Sequence, residues 1–208
     1  MVLNAAASSG MLDMKTVMIA GNTCLPFLHY ITKNAGQRDR DRNCDLLAGT
    51  AIDLASSSST ISTVILASMG PEYFSGQSFR GAPTGSFGIY QNDKFVPDQE
   101  AAFIDGYSDL VSRLLRTGKK VVYFIDVPEI GFDPAQCGPR AISLVEKSGC
   151  ILSRNDVDVR QRRYRALIAE IARRNPALKI FDSLPAFCDH QSCRWIRAAV
   201  RFTLTYII

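Results

Sequence analysis

Four short runs in this chain have an apolar, β-branched-rich centre: "KTVMIAG" (15–21), "TVILAS" (63–68), "KKVVYFID" (119–126) and "LKIFDS" (178–183). Polar residues do not alternate through them, so neither face is built for water. That is the pattern of strands in a parallel sheet. Between them the apolar positions recur every three to four residues. In 97–118, Phe103, Tyr107, Leu110, Val111 and Leu114 share one helical face, and Gly118 closes the segment. In 156–175, Tyr164, Leu167, Ile168 and Ile171 do the same, and Pro176 stops the helix. A helix is also expected over 24–34, leading away from the first strand. A weaker one is expected over 46–58, its end frayed by "SSSS" (56–59).

This order of strand and helix predicts an α/β fold, a three-layer α/β/α sandwich around a parallel, doubly wound sheet of the flavodoxin-like kind. A strand is expected between residues 35 and 50, yet "AGQRDRDRNCDLLAGT" reads as a poor edge strand or a lost one. Residues 69–96 read as one long loop containing Gly, Ser and Phe, and long loops inside a domain are often functional. Neither an internal repeat nor a linker divides the 208 residues, which suffice for one domain with a substantial core.

Composition narrows the class. The chain is 47% apolar and 21% charged, as a soluble globular protein should be. A net charge of +4 is no nucleic-acid signature, and no nucleic-acid partner is expected. Of the two basic clusters, "QRDRDR" (37–42) mixes signs and "RQRRYR" (160–165) lies on the wet face of a helix. No window approaches the ~20 apolar residues of a membrane helix. The N-terminus lacks the basic and apolar regions of a signal peptide.

The six cysteines are Cys24, Cys44, Cys137, Cys150, Cys188 and Cys193. No pair has CxxC spacing and there are two histidines, so no metal site is expected. An even count at moderate spacing fits an oxidising compartment. Cys188 with Cys193, and Cys137 with Cys150, could each close a loop; the alternative is reduced thiols.

In a parallel α/β sheet, sites form beyond the carboxyl ends of the strands. Four segments meet that condition: Gly21-Asn22-Thr23-Cys24, Ser68-Met69-Gly70-Pro71, Asp126-Val127-Pro128-Glu129 and the loop after Asp182. A hydroxyl at Thr23 would stand at a helix N-terminus, where free N–H groups can stabilise an oxyanion. The alternative is that Asn22 or Thr23 simply caps the helix.

"VMIAGNTCLPFLHYITKNAG" resembles the first block of SGNH hydrolases. The closer likeness is to the SGNH domain fused to the C-terminus of acyltransferase-three membrane proteins, which O-acetylate bacterial polysaccharides. "VILASMGPEYFSGQ" resembles the second block, which usually has arginine where Met69 stands. "DVPEIGFDPAQCGPR" and "FDSLPAFCDHQSCRW" resemble the later cysteine-bearing segments. The likeness covers 15–197, which leaves 1–14 as an N-terminal extension and 198–208 as an atypical tail.

The resemblance implies a nucleophile position at Thr23 and oxyanion donors at Asn22 and Gly70. It implies no cofactor. It also implies a saccharide acceptor, an acyl donor and an extracytoplasmic or periplasmic location. A membrane acyltransferase domain, absent from this chain, would be a partner.

The departures from the family pattern are specific. Its serine falls on Thr23, whose methyl group restricts the rotamer and crowds attack. Its next residue, histidine, falls on Cys24. Its D-x-x-H motif, which supplies the base and the acid that orients it, should follow Cys193. Here the chain reads "CRWIRAAVRFTLTYII". His29 would lie ~240° around the expected helix from Thr23. His190 stands between two cysteines in a loop, and Asp126 and Asp182 read as caps or loop hydrogen-bonders. Cys24 is an alternative nucleophile if a helix N-terminus lowers its pKa, or a small packing residue. The apolar tail suggests a frameshift or early stop. The expectation is an acetyltransferase or esterase domain with impaired acyl transfer; the alternative is a non-catalytic carbohydrate-binding or scaffolding module.

Overall fold

A computed structural model describes residues 16–19, 24–34, 38–68, 70–71, 87–129 and 151–194. Its central sheet is parallel and has the order β2-β5-β7, with β2 at Thr63–Ala67, β5 at Lys120–Ile125 and β7 at Lys179–Asp182. These are three of the four expected strands. Val64 sits opposite Val121 and Tyr123 opposite Ile180, so β5 is paired in register on both sides, while the β7 residues themselves stay exposed. Val121, Tyr123 and Ile125 of β5 point into the core; on the other face Phe124 stacks on Phe181. The α/β class with a parallel sheet holds.

Two helices cover the inward face. Helix α2 (Gln99–Arg116) opens where the Asp98 carboxylate accepts the Ala101 N–H, and closes at Gly118, whose φ of +77° suits glycine. Helix α3 (Arg154–Arg174) runs beside it. All nine residues expected on the two inner faces, from Phe103 to Ile171, are buried in one cluster. Asn175 joins the two helices: its carbonyl oxygen accepts from Ser112 and its amide donates to Ile171 O.

The first 60 residues depart most from expectation. Thr16–Ile19 form no strand, and Val17, Met18 and Ile19 are exposed. A short apolar run cannot be told from a buried strand by periodicity alone. No helix forms over 24–34. Pro26 biases Leu25 toward extended backbone, and the Phe27 N–H turns back to Leu25 O. His29 has a φ of +69°, and Ile31–Asn34 becomes β1. The region read as a poor strand is helix α1 (Arg38–Ser57), longer than the 46–58 expected. Among its described side chains only Cys44 and Ile52 are buried, so its apolar stripe is too sparse to read.

The expected loop 69–96 contains a hairpin, β3 (Phe87–Gln91) and β4 (Lys94–Phe95). Its two turn residues, Asn92 and Asp93, both have positive φ, as a tight two-residue hairpin requires. β1 pairs antiparallel with β3. The Gln99 carboxamide clips the hairpin to α2 through the Ile89 N–H, Ile89 O and Val96 O.

A second, smaller cluster forms around Val157, Leu184, Phe187, Cys188 and Cys193. Here β6 (Ile151–Ser153) pairs with β8 (Ser192–Arg194), and a short helix α4 (Leu184–Phe187) follows β7. Cys188 and Cys193 are disulfide-bonded, as their spacing allowed. Cys137 and Cys150 lie outside the described residues. Cys24 pairs with Cys44, a bond the sequence reading did not anticipate.

Candidate functional site

The carboxyl ends of β2, β5 and β7 form one edge, with Ala67 opposite Phe124 and Ile125 opposite Asp182. Beyond β2, the Ser68 hydroxyl is 2.8 Å from the Tyr123 hydroxyl, and that hydroxyl is 2.9 Å from Tyr164's. The buried Tyr107 hydroxyl lies beside this chain, against Ser68 and Tyr123. Burial raises the pKa of all three phenols, that of Tyr107 to about 12. They are neutral donors and acceptors at any physiological pH.

Gly70, the expected oxyanion donor of the second block, is buried against Tyr164. A Cβ on Gly70 would lie 1.9 Å from the ring's Cε2. Its N–H donates to Ser68 O at 2.9 Å. To hold an oxyanion this N–H must leave that carbonyl, because a donor serves only if it points at the developing charge.

Beyond β5, the Asp126 carboxylate accepts the Val127 N–H, and the buried Gln161 amide donates to Asp126 O and Val127 O. Glu129 is nearly buried and paired with Arg160. Burial raises the Glu129 pKa, and Arg160 opposes that rise. Beyond β7, Asp182 takes two hydrogen bonds from Arg165, at 2.7 and 2.9 Å, and caps the Leu184 N–H. The Arg165 contact holds the Asp182 pKa below the usual carboxylate value. Asp126 and Asp182 thus do structural work.

Asn22 and Thr23 lie outside the described residues. Cys24, next to them, is neither a thiol nor at a helix start, which removes it as the alternative nucleophile. His29 is exposed in the turn before β1, and His190 is exposed between the paired cysteines. Among the described residues no group of three or more His, Cys, Asp or Glu side chains could hold a metal ion, and no helix is long and apolar enough to cross a membrane.

Residues 3–207 match the family described as the SGNH domain (fused to AT3 domains). The chain belongs to that family. No curated protein and no solved structure matches it. As an SGNH domain of the acyltransferase-associated kind, the chain has a hydrolase-like fold, and its parallel sheet is the scaffold for the edge described above. Sequence reasoning placed Ser68 and Gly70 on that edge. It treated Tyr164 only as core and missed its contact with Gly70. The signal was present in the periodicity of α3, but nothing in a single sequence reveals which strand a helical tyrosine will touch.

Proposed function

We propose that this SGNH domain is the module of a bacterial cell-surface polysaccharide O-acetyltransferase or esterase, moving acyl groups to or from sugar hydroxyls, and that the acyl-transfer step is impaired in this chain. The family match across residues 3–207 carries the first half of the reading. The site residues support the second. A threonine nucleophile needs a base positioned for it. The neighbouring Cys24 is oxidised, and the Gly70 N–H is engaged with Ser68 O. Two disulfides in the described residues favour an oxidising, extracytoplasmic setting, where an acyl donor and a saccharide acceptor would meet.

Incubation with p-nitrophenyl acetate tests the reading. The expected result is no turnover above buffer for the wild-type chain. Turnover abolished by Thr23→Ala would overturn the impairment. Glycan binding without turnover would shift the reading to a carbohydrate-binding module.

A further inference from the structure

We propose that Tyr164 is the positioning residue for Gly70: its ring seats the Gly70 backbone, and its hydroxyl, through Tyr123 and Ser68, fixes where the Gly70 N–H points. The inference deepens the acyl-transfer reading and rests on it for its functional meaning, since the family places an oxyanion donor at Gly70.

The geometry forms a closed circuit across three elements. Three ring atoms of Tyr164 lie 1.9, 2.1 and 2.3 Å from where a Cβ on Gly70 would stand, so the bare Cα rests on the ring. The ring cannot retreat. It is 1% exposed and is backed by Phe103 and Tyr123 at centroid distances of 6.4 and 6.5 Å. Its hydroxyl is bound to Tyr123, whose hydroxyl is bound to the Ser68 side chain. The backbone of Ser68 then completes the circuit by accepting the Gly70 N–H. Helix α3 therefore reaches the end of β2 twice, once through the ring and once through a chain of hydroxyls. A packing contact alone would need the ring but not the hydroxyl. The buried hydroxyls form a directional chain that orients what they touch.

Amide hydrogen exchange at Gly70, followed by NMR, separates these roles. In Tyr164→Phe, which keeps the ring, and in Ser68→Ala, the Gly70 amide should exchange at least about ten-fold faster than in wild type, as expected from loss of one hydrogen bond. The Leu110 and Ile168 amides in the core should stay within about two-fold. Gly70 exchange unchanged in both variants would overturn the proposal. A second measurement guards against a misfolded Tyr164→Phe. Gly70→Ala should destabilise the wild-type background more than the Tyr164→Leu background, and equal costs in both would also overturn the proposal. Ester turnover by the wild-type chain is scored separately. A perturbed Gly70 amide in a chain that binds glycan without turnover would shift the acyl-transfer reading to a binding module and leave the positioning role intact.

Discussion

Cys24 and Cys44 are joined by a disulfide that ties the residue beside Thr23 to helix α1 across twenty positions of sequence. Without reductant, iodoacetamide should leave both sulfurs unlabelled, and with reductant it should label both, as peptide mass mapping would read. The bond closes a loop of intermediate length, so Cys24→Ser/Cys44→Ser should lose about 3 kcal/mol in urea unfolding. Labelling of Cys24 in the untreated protein would contradict the pairing.

The Arg165–Asp182 pair predicts an acid-sensitive contribution to stability. The folded Asp182 pKa is below its ordinary value of 3.8. Its stabilisation is therefore present above the unfolded value and lost as pH falls through the folded one. The Asp182 side chain is 38% exposed, so solvent screening limits the gain, and Asp182→Asn should cost about 1 kcal/mol at pH 7. The Tm gap between wild type and Asp182→Asn should be present at pH 7 and close as the pH is lowered well below 3.8. A gap that persists there would assign the effect to something other than the charge.

Gly106 stands inside helix α2, where alanine would ordinarily stabilise by ~1 kcal/mol. Here an added Cβ would lie 2.9 Å from Cδ1 and 3.0 Å from Cγ of Phe27. The ring belongs to the segment leading to β1 and is itself buried, so it has little room to yield. Overpacking should outweigh the propensity gain, and Gly106→Ala should destabilise by about 1 kcal/mol in urea. An increase in stability would show that Phe27 moves freely.

Lys119 is buried at the start of β5, and its ammonium donates to Ser58 O and Ile61 O at 2.6 and 2.8 Å. It holds the turn that leads from α1 into β2. Lys119→Met keeps the stem but leaves two carbonyls without their charged donor. A loss of about 2 kcal/mol is expected in chemical denaturation. A loss no larger than that of an exposed lysine, such as Lys94→Met, would rule out the bracing role.

The legible part of the chain was the part with a dense, periodic core. Helices α2 and α3 carry continuous apolar faces, and β2 and β5 are short apolar, β-branched-rich runs, so their types followed from spacing; β7, Lys179–Asp182, has only Ile180 and Phe181 as its apolar centre. Helix α1 was hidden because its charged face dominates a sparse inner stripe. The hairpin did carry a signal, Asn92-Asp93 between two β-prone stretches, but it sat in a glycine-rich region that read as a loop. The segment 24–34 looked helical by spacing, and Pro26 decided otherwise. At the site, the positions along the sheet edge were legible. The pairing of Cys24 and the seat of Gly70 were not, because both depend on which distant residues meet.

The aromatic rings form a continuous run. Phe27 meets Tyr107 at 5.2 Å, Tyr107 meets Tyr123 at 5.3 Å, and Tyr123 meets Tyr164 at 6.5 Å. Rings held this close in a fixed, asymmetric array give a strong near-ultraviolet circular dichroism, which vanishes when fixed packing is lost. One end of the run lies three residues from Cys24 and the other lies against Gly70. The protein therefore carries its own optical gauge of fixed packing, built from native side chains, that needs no attached label.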